Sequence, residues 1–295
     1  MACANAWQYD AAEESTFNVQ QIERSGWCGH LSLEFERRAD RTVLASRRHS
    51  GPIVVQKALY PEGDDVCHGI VLHPPGGYVG GDKIGLQVGV CDDAHALLTT
   101  PGAGKWYRSA GTPAEQTLQF EIGPRAVLEW LPQGNIVFNG AIASNAARIG
   151  VAPGGTYLGW DIVCLGRTAA GERFVEGRLL MDTQVRRAGS VLWIERGRID
   201  GGSRLLESPA GLAGEPVHAT LMAVSDKADA GLATACREVR SASGFTGVTR
   251  LPGLLLARYL GPRADDAHDY FARLWQLLRP TLIGREASPP RIWRT

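Results

Sequence analysis

Glycine punctuates this chain from end to end. Of its 295 residues 36 are glycine, about 12% against the roughly 7% of average usage, and they fall between short alternating segments rather than in one linker. Such spacing calls for many short segments joined by tight turns, because glycine alone takes positive backbone angles without a steric cost. The segments between the glycines carry the period of a strand. Residues 31–36, 84–90 and 117–122 alternate apolar and polar positions, which puts one set of side chains on the core face of a sheet. Further strands bounded by Gly, Pro or Asp are expected over 53–59, 66–72, 125–131, 157–165, 174–181, 191–195, 217–224 and 248–258.

Two stretches change to a period of 3.6. Asp226 can cap a helix running to about Ser241, with Leu232, Ala235, Cys236 and Val239 on one face and Gly244 beyond its end. Asp265 can open a second, whose apolar stripe of Ala267, Tyr270, Phe271, Leu274, Leu277 and Leu278 stops at Pro280. The expectation is a mainly β protein, a two-layer or helix-like stack of β-sheets, with two α-helices in the C-terminal quarter near 226–241 and 265–279. Strands in one run without alternating helices argue against a parallel βαβ sheet. No break in composition divides the chain, so 1–295 reads as a single domain.

Lys plus Arg and Asp plus Glu both number 31, so there is no net positive field to draw in a nucleic acid. The basic residues divide into 4 Lys and 27 Arg; Arg suits bidentate and interfacial contacts, and genome base composition gives the same bias. Met1 to Glu14 shows neither the basic flank nor the apolar run of a secretory signal. No apolar run approaches the roughly 18 to 20 residues of a membrane span. A soluble, cytoplasmic protein is expected. Six scattered cysteines (Cys3, Cys28, Cys67, Cys91, Cys164 and Cys236) form no CxxC pair and read as reduced thiols.

Neither Gly76 to Lys83 nor Pro101 to Trp106 has the spacing of a phosphate loop, and no GxGxxG opens a helix. HExxH and GxSxG are missing too, so a hydrolase would need a site assembled in space without a motif. Cys67-His68 with His73, and Cys28-Gly-His30, offer soft and borderline ligands for nickel, copper or zinc, without the tight pairing of a closed cage. Asp82 follows four glycines within six residues, and Glu129 lies between Leu128 and Trp130; local pattern alone makes them a turn-bonding Asp and an outward-facing Glu. Lys105-Trp106-Tyr107-Arg108 interleaves cations with rings, a pattern for a protein interface. Trp106, Tyr107 and Trp293 are expected to be exposed, and Arg291 with Trp293 forms a second interface candidate behind Pro289 and Pro290.

His73-Pro-Pro-Gly-Gly-Tyr-Val-Gly-Gly-Asp82 resembles the HPPGG(I/V)VGGD signature of urease accessory proteins of the UreD type, also called UreH. Leu98 to Arg108 is similar to that family's LTTPGAxKxYR segment, Leu128 to Gln133 to its LEWLPQ, Leu165 to Glu172 to its LGRxAxGE, and Leu278 to Trp293 to its ending. The resemblance covers nearly the whole chain. It implies a non-enzymatic scaffold that binds urease apoprotein and the accessory proteins of UreF and UreG type and helps nickel reach urease through an internal tunnel. GTP would sit on the UreG-type partner, no cofactor would be tightly bound here, and nickel would pass only transiently. Candidates for the nickel route are His73, Gly76, Gly77, Gly80, Gly81, Asp82 and Glu129; those for partner contact are Lys105, Trp106, Tyr107, Arg108, Arg291 and Trp293. Where the family commonly has Glu after LPQ and Asp after the IxF that follows, this chain has Gly134 and Asn139.

Overall fold

A computed structural model describes residues 26–294; Met1 to Glu14 and Cys3 lie outside them. Two β-sheets face each other. The first runs in the order β14 (Ser190–Asp200), β13 (Arg178–Arg187), β11 (Ile142–Val151), β8 (Ala114–Ile122), β5 (Lys83–Val90), β1 (Cys28–Arg38), β2 (Arg41–Ser50). The second runs β16 (Phe245–Leu251), β17 (Leu254–Gly261), β15 (Val217–Val224), β12 (Thr156–Leu165), β9 (Val127–Leu131), β6 (His95–Thr99), β4 (Val66–Leu72), β3 (Val54–Val55), with β10 (Asn135–Val137) against β12 and β7 (Gly104–Trp106) against β10. The stacked, mainly β architecture expected from the sequence is what forms.

The strand pairing holds a finding that alternation alone did not disclose. β5, β8, β11 and β13 pair in parallel, as do β4, β6, β9 and β12. Parallel neighbours need a crossover, and here a strand of the opposite sheet supplies it in place of a helix. The chain therefore coils back and forth between the sheets.

Burial explains the two kinds of strand sequence. β5 alternates, with Ile84, Leu86, Val88 and Val90 inward, because the far face of the first sheet meets water. β6 is buried along its whole length, since the far face of the second sheet is covered by α2 (Ala230–Glu238) and α3 (Ala264–Ile283). Two apolar cores result. Leu33, Phe35, Phe120 and Leu128 fill the space between the sheets, while Trp160, Tyr270, Phe271 and Leu274 fill the space under the helices.

Several boundaries differ from the sequence expectation. α2 starts later, capped by Asp229, whose Oδ1 accepts the N–H of Leu232 at 2.7 Å; Asp226 instead pairs with Arg187. α3 continues through Pro280 to a left-handed Gly284, whose N–H bonds the carbonyl of Pro280 at 2.9 Å. Proline removes one backbone bond there, and burial of Leu278 and Leu282 on either side offsets the loss. A short α1 (Arg204–Glu207) was not expected. Residues 248–258 form a hairpin rather than one strand, turning at Pro252 and at Gly253, which has a φ of 77°. Segment 53–59 pairs only at Val54–Val55 and a bridge from Leu59 to His68, and the strand expected over 174–181 begins at Arg178. No helix among the described residues is long and apolar enough to cross a membrane.

Candidate functional site

Between the sheets the packing gives way to a cavity of about 440 Å³. At one end of the interface large apolar groups such as Phe35, Val88 and Phe120 meet and fill it. Farther along, the inward positions change character. Alternation on β12 aims Tyr157, Gly159, Asp161 and Val163 inward, on β15 His218, Thr220 and Met222, on β11 Asn145 and Ala147, and on β13 Met181 and Thr183. Small and polar side chains cannot fill what Phe and Leu fill, and the space stays open.

Asp161 is the carboxyl group at the centre of the hydrogen bonds in this interior. Its Oδ1 accepts from Asn135 Nδ2 at 2.9 Å and its Oδ2 from Asn145 Nδ2 at 3.3 Å. Burial raises its pKa against the opposing bond from Asn135. Asn135 in turn accepts from Trp106 Nε1 at 3.0 Å, so the indole, the amide and the carboxylate form one chain. Burial pushes the His218 imidazole down to about 4, which keeps it neutral and able to bind a metal at neutral pH. Its Nε2 and the Oδ1 of Asn145 are buried without a hydrogen-bond partner. Unpaired buried polar atoms are costly; both residues line the cavity, while these two atoms are sealed from its space. Among the described residues no three His, Cys, Asp or Glu side chains converge on one point; the donors stand apart along the cavity.

The glycine-rich turn sits at one end of this cavity. His73 and Gly76 line it, and the His73 ring stacks on Tyr78 at 5.0 Å with its Nε2 buried and unpartnered. Burial lowers the pKa of His73 against the attraction of Asp82. Gly77 backs the turn where nothing larger fits: a Cβ there would stand 2.5 Å from the carbonyl oxygen of Lys105. A Cβ on Gly80 would likewise stand 2.5 Å from Ser109 Oγ, and Gly81 has a φ of 97°. Asp82 is buried and bonds the turn to its surroundings, Oδ1 accepting from the N–H of Trp27 at 2.8 Å and Oδ2 from that of Val79 at 2.9 Å.

Glu129 does point to the opposite face of its strand, as alternation requires, but that face is not outward. Helix α3 covers it, and the carboxylate has no exposure. Trp275 Nε1 donates to it at 2.5 Å, Arg279 bonds both its oxygens, and His95 Nε2 lies 2.7 Å away. Burial alone would raise its pKa; the bonds and charges of His95 and Arg279 hold it at about 2. His68, on the same face, lies 2.6 Å from Glu62, which Arg279 also grips. Cys67 is buried, and Cys28 and His30 are exposed on β1.

The expected exposed aromatics are corrected in the same way. Trp106 is 1% exposed and stacks on Tyr78 at 4.2 Å. Tyr107 is half-buried, edge-on to Phe138 at 5.1 Å. Trp293 packs on Trp160 and Trp275 and donates from Nε1 to Thr99 Oγ1 at 3.0 Å, so the tail is anchored on its own core. Lys105, Arg108 and Arg291 are exposed, Arg108 in a pair with Glu176 at 2.8 Å.

The two departures from the family pattern have structural places of their own. Gly134 lines the cavity with a φ of 101°, and a Cβ there would stand 2.8 Å from the carbonyl oxygen of Ile162. Asn139 Oδ1 accepts the N–H groups of Val175 and Glu176, each at 2.8 Å. Asn135, Asn145, Asp161 and His218 went unnoticed in the sequence. The signal was present for Asp161, a lone carboxylate inside the uncharged run 156–165.

These features define a two-sheet β protein with a cavity between its sheets that carries a few buried polar groups. The model of the UreD urease accessory protein family matches residues 28–294. The chain is 55% identical over 281 residues to the urease accessory protein UreD of Azoarcus sp. (strain BH72), covering 95% of this chain and 99% of that protein. It is 49% identical over 286 residues to UreD of Dechloromonas aromatica (strain RCB), with the same coverage, and 50% identical over 270 residues to UreD of Pseudomonas aeruginosa (strain PAO1), covering 91% and 95%. The chain belongs to the UreD family of urease accessory proteins.

Proposed function

We propose that this chain is a cytoplasmic maturation factor for urease, without catalysis of its own. It holds urease apoprotein and the UreF-type and UreG-type accessory proteins together, and nickel crosses it through the cavity between the sheets. GTP is bound by the UreG-type partner.

The observation that carries this reading is the set of ligand-type side chains that line the cavity. His218, kept neutral by burial, lines it together with the hydrogen-bonded Asp161, Asn135 and Asn145. Imidazole nitrogen and carboxylate or amide oxygen are ligands that nickel accepts. Because no three His, Cys, Asp or Glu side chains converge among the described residues, an ion is held weakly and can move on, as conduction requires.

The test is nickel activation of urease apoprotein with the purified chain and its UreF-type and UreG-type partners. Asp161→Asn and His218→Leu are expected to leave complex assembly intact and to slow activation at limiting nickel at least fivefold. Wild-type activation by both variants would overturn the cavity as the route. Failure of the wild-type chain to co-purify with those partners would overturn the scaffold.

A further inference from the structure

The side of the cavity away from the glycine-rich turn is bounded by an ion pair that joins the two sheets. Glu195 is on β14, the edge strand of the first sheet, and Arg258 is on β17 of the second. Arg258 Nη1 donates to Glu195 Oε1 at 2.6 Å and Nη2 to Oε2 at 3.0 Å, while Nη1 also reaches Thr220 Oγ1 at 3.1 Å. Glu195 and Thr220 both line the cavity. Yet the side chains of Arg258 and Glu195 keep 45% and 31% of their exposure. The pair thus stands on the boundary between the cavity and bulk water.

Resting on the reading of the cavity as a nickel route, we propose that Arg258 and Glu195 form a cation gate at this lateral mouth. Closed, the guanidinium occupies both oxygens of the carboxylate, so an arriving cation meets neither a free ligand nor a net negative charge at the opening. Open, it uncovers Glu195 as a ligand one strand away from Thr183 and in line with Thr220, which neighbours Asp161 in register. The fork geometry gives the closed state a defined shape, and partial exposure keeps the pair weak enough to open. A divalent ion competes better for one carboxylate than the single charge of Arg does.

The gate is tested in the full chain with Cys3, Cys28 and Cys91 replaced by serine and Thr183→Cys as an interior probe. Modification of that thiol by a small cationic methanethiosulfonate is compared with modification by a neutral one of similar size. Arg258→Gln is expected to raise the ratio of cationic to neutral rates at least tenfold, and Arg258→Lys, which keeps the charge, to hold it within threefold of the parent. An unchanged ratio in Arg258→Gln, or an equal rise in Arg258→Lys, overturns the gate. Should Arg258→Gln fail to fold by circular dichroism, Glu195→Gln decides: it leaves the Arg258 charge unmatched and must lower the ratio, and no fall overturns the gate. If the ratio responds while Asp161→Asn leaves nickel activation unchanged, the gate stands and the route reading falls. If the ratio is fixed while Asp161→Asn slows activation, the route stands and the gate falls.

Discussion

The guanidinium of Arg279 and the carboxylate of Glu129, 150 residues apart in the chain, share three hydrogen bonds of 3.1 to 3.2 Å at a place where neither side chain reaches solvent. Nη1 and Nη2 also bond Glu62, so one cation of α3 holds two carboxylates from separate parts of the chain. Removing it leaves each buried carboxylate with only a histidine to balance its charge. Arg279→Met is therefore expected to destabilise the fold by about 3–5 kcal/mol, read as a lower urea midpoint. Adding Glu129→Gln to it should recover part of that loss. A change below about 1 kcal/mol in the single variant would show that the pair does not hold α3 in place.

Asp82 and Asp161 should separate cleanly. Both oxygens of Asp82 accept backbone N–H groups, so Asp82→Asn turns an amide donor against a donor and should cost about 1–3 kcal/mol while nickel activation by the folded fraction stays normal. Asp161→Asn keeps an acceptor for Asn135 and can turn its new amide to the unpartnered Oδ1 of a flipped Asn145, so it should fold at little cost and slow activation. Slowed activation by folded Asp82→Asn would place the Asp82 carboxylate itself on the route.

Acid should weaken the fold in two windows. His218 gains its proton near pH 6.5 when unfolded and only near 4 when folded, so its contribution is whole above 6.5 and is lost as pH falls toward 4, at up to about 1.4 kcal/mol per pH unit. Glu129, held at about 2 against an ordinary 4.5, contributes fully above 4.5 and loses its share as pH falls toward 2. Urea midpoints should drop between pH 7 and 5, and His218→Leu should flatten that fall. An unchanged slope in the variant would mean that His218 is not buried neutral.

The tail prediction changes with Trp293 indoors. Trp293→Ala should cost about 2–4 kcal/mol, since it removes ring contacts with Trp160 and Trp275 and leaves Thr99 without a donor. Partner capture should fall only as the fold is lost. Weakened capture at unchanged thermal midpoint would make the tail an interface after all.

The sheets were legible in the sequence wherever one face is wet, because alternation survives there, as in β5 and β8. β6 and β11 escaped for opposite reasons: the first is buried on both faces and carries no alternation, while the second, Ile142 to Val151, offers small and polar residues to the cavity. Glu129 was singled out correctly as anomalous, yet its burial depends on α3, more than a hundred residues away. Strand period tells which residues share a face and is silent about what covers it. The cavity was illegible for the same reason, being a property of inward positions on many strands.

The back-and-forth coil of strands also sets an order in time. Neighbours such as β5 and β8 cannot pair until the intervening passage through the other sheet has been made, and distant pairing of this kind is slow. During synthesis, where N-terminal parts fold first, the interior is laid down pass by pass from the glycine-rich turn onward. Arg258 follows every cavity-lining strand in chain order. A nascent chain that has already formed its interior therefore has an open flank until β17 emerges, and that strand is what seals the compartment.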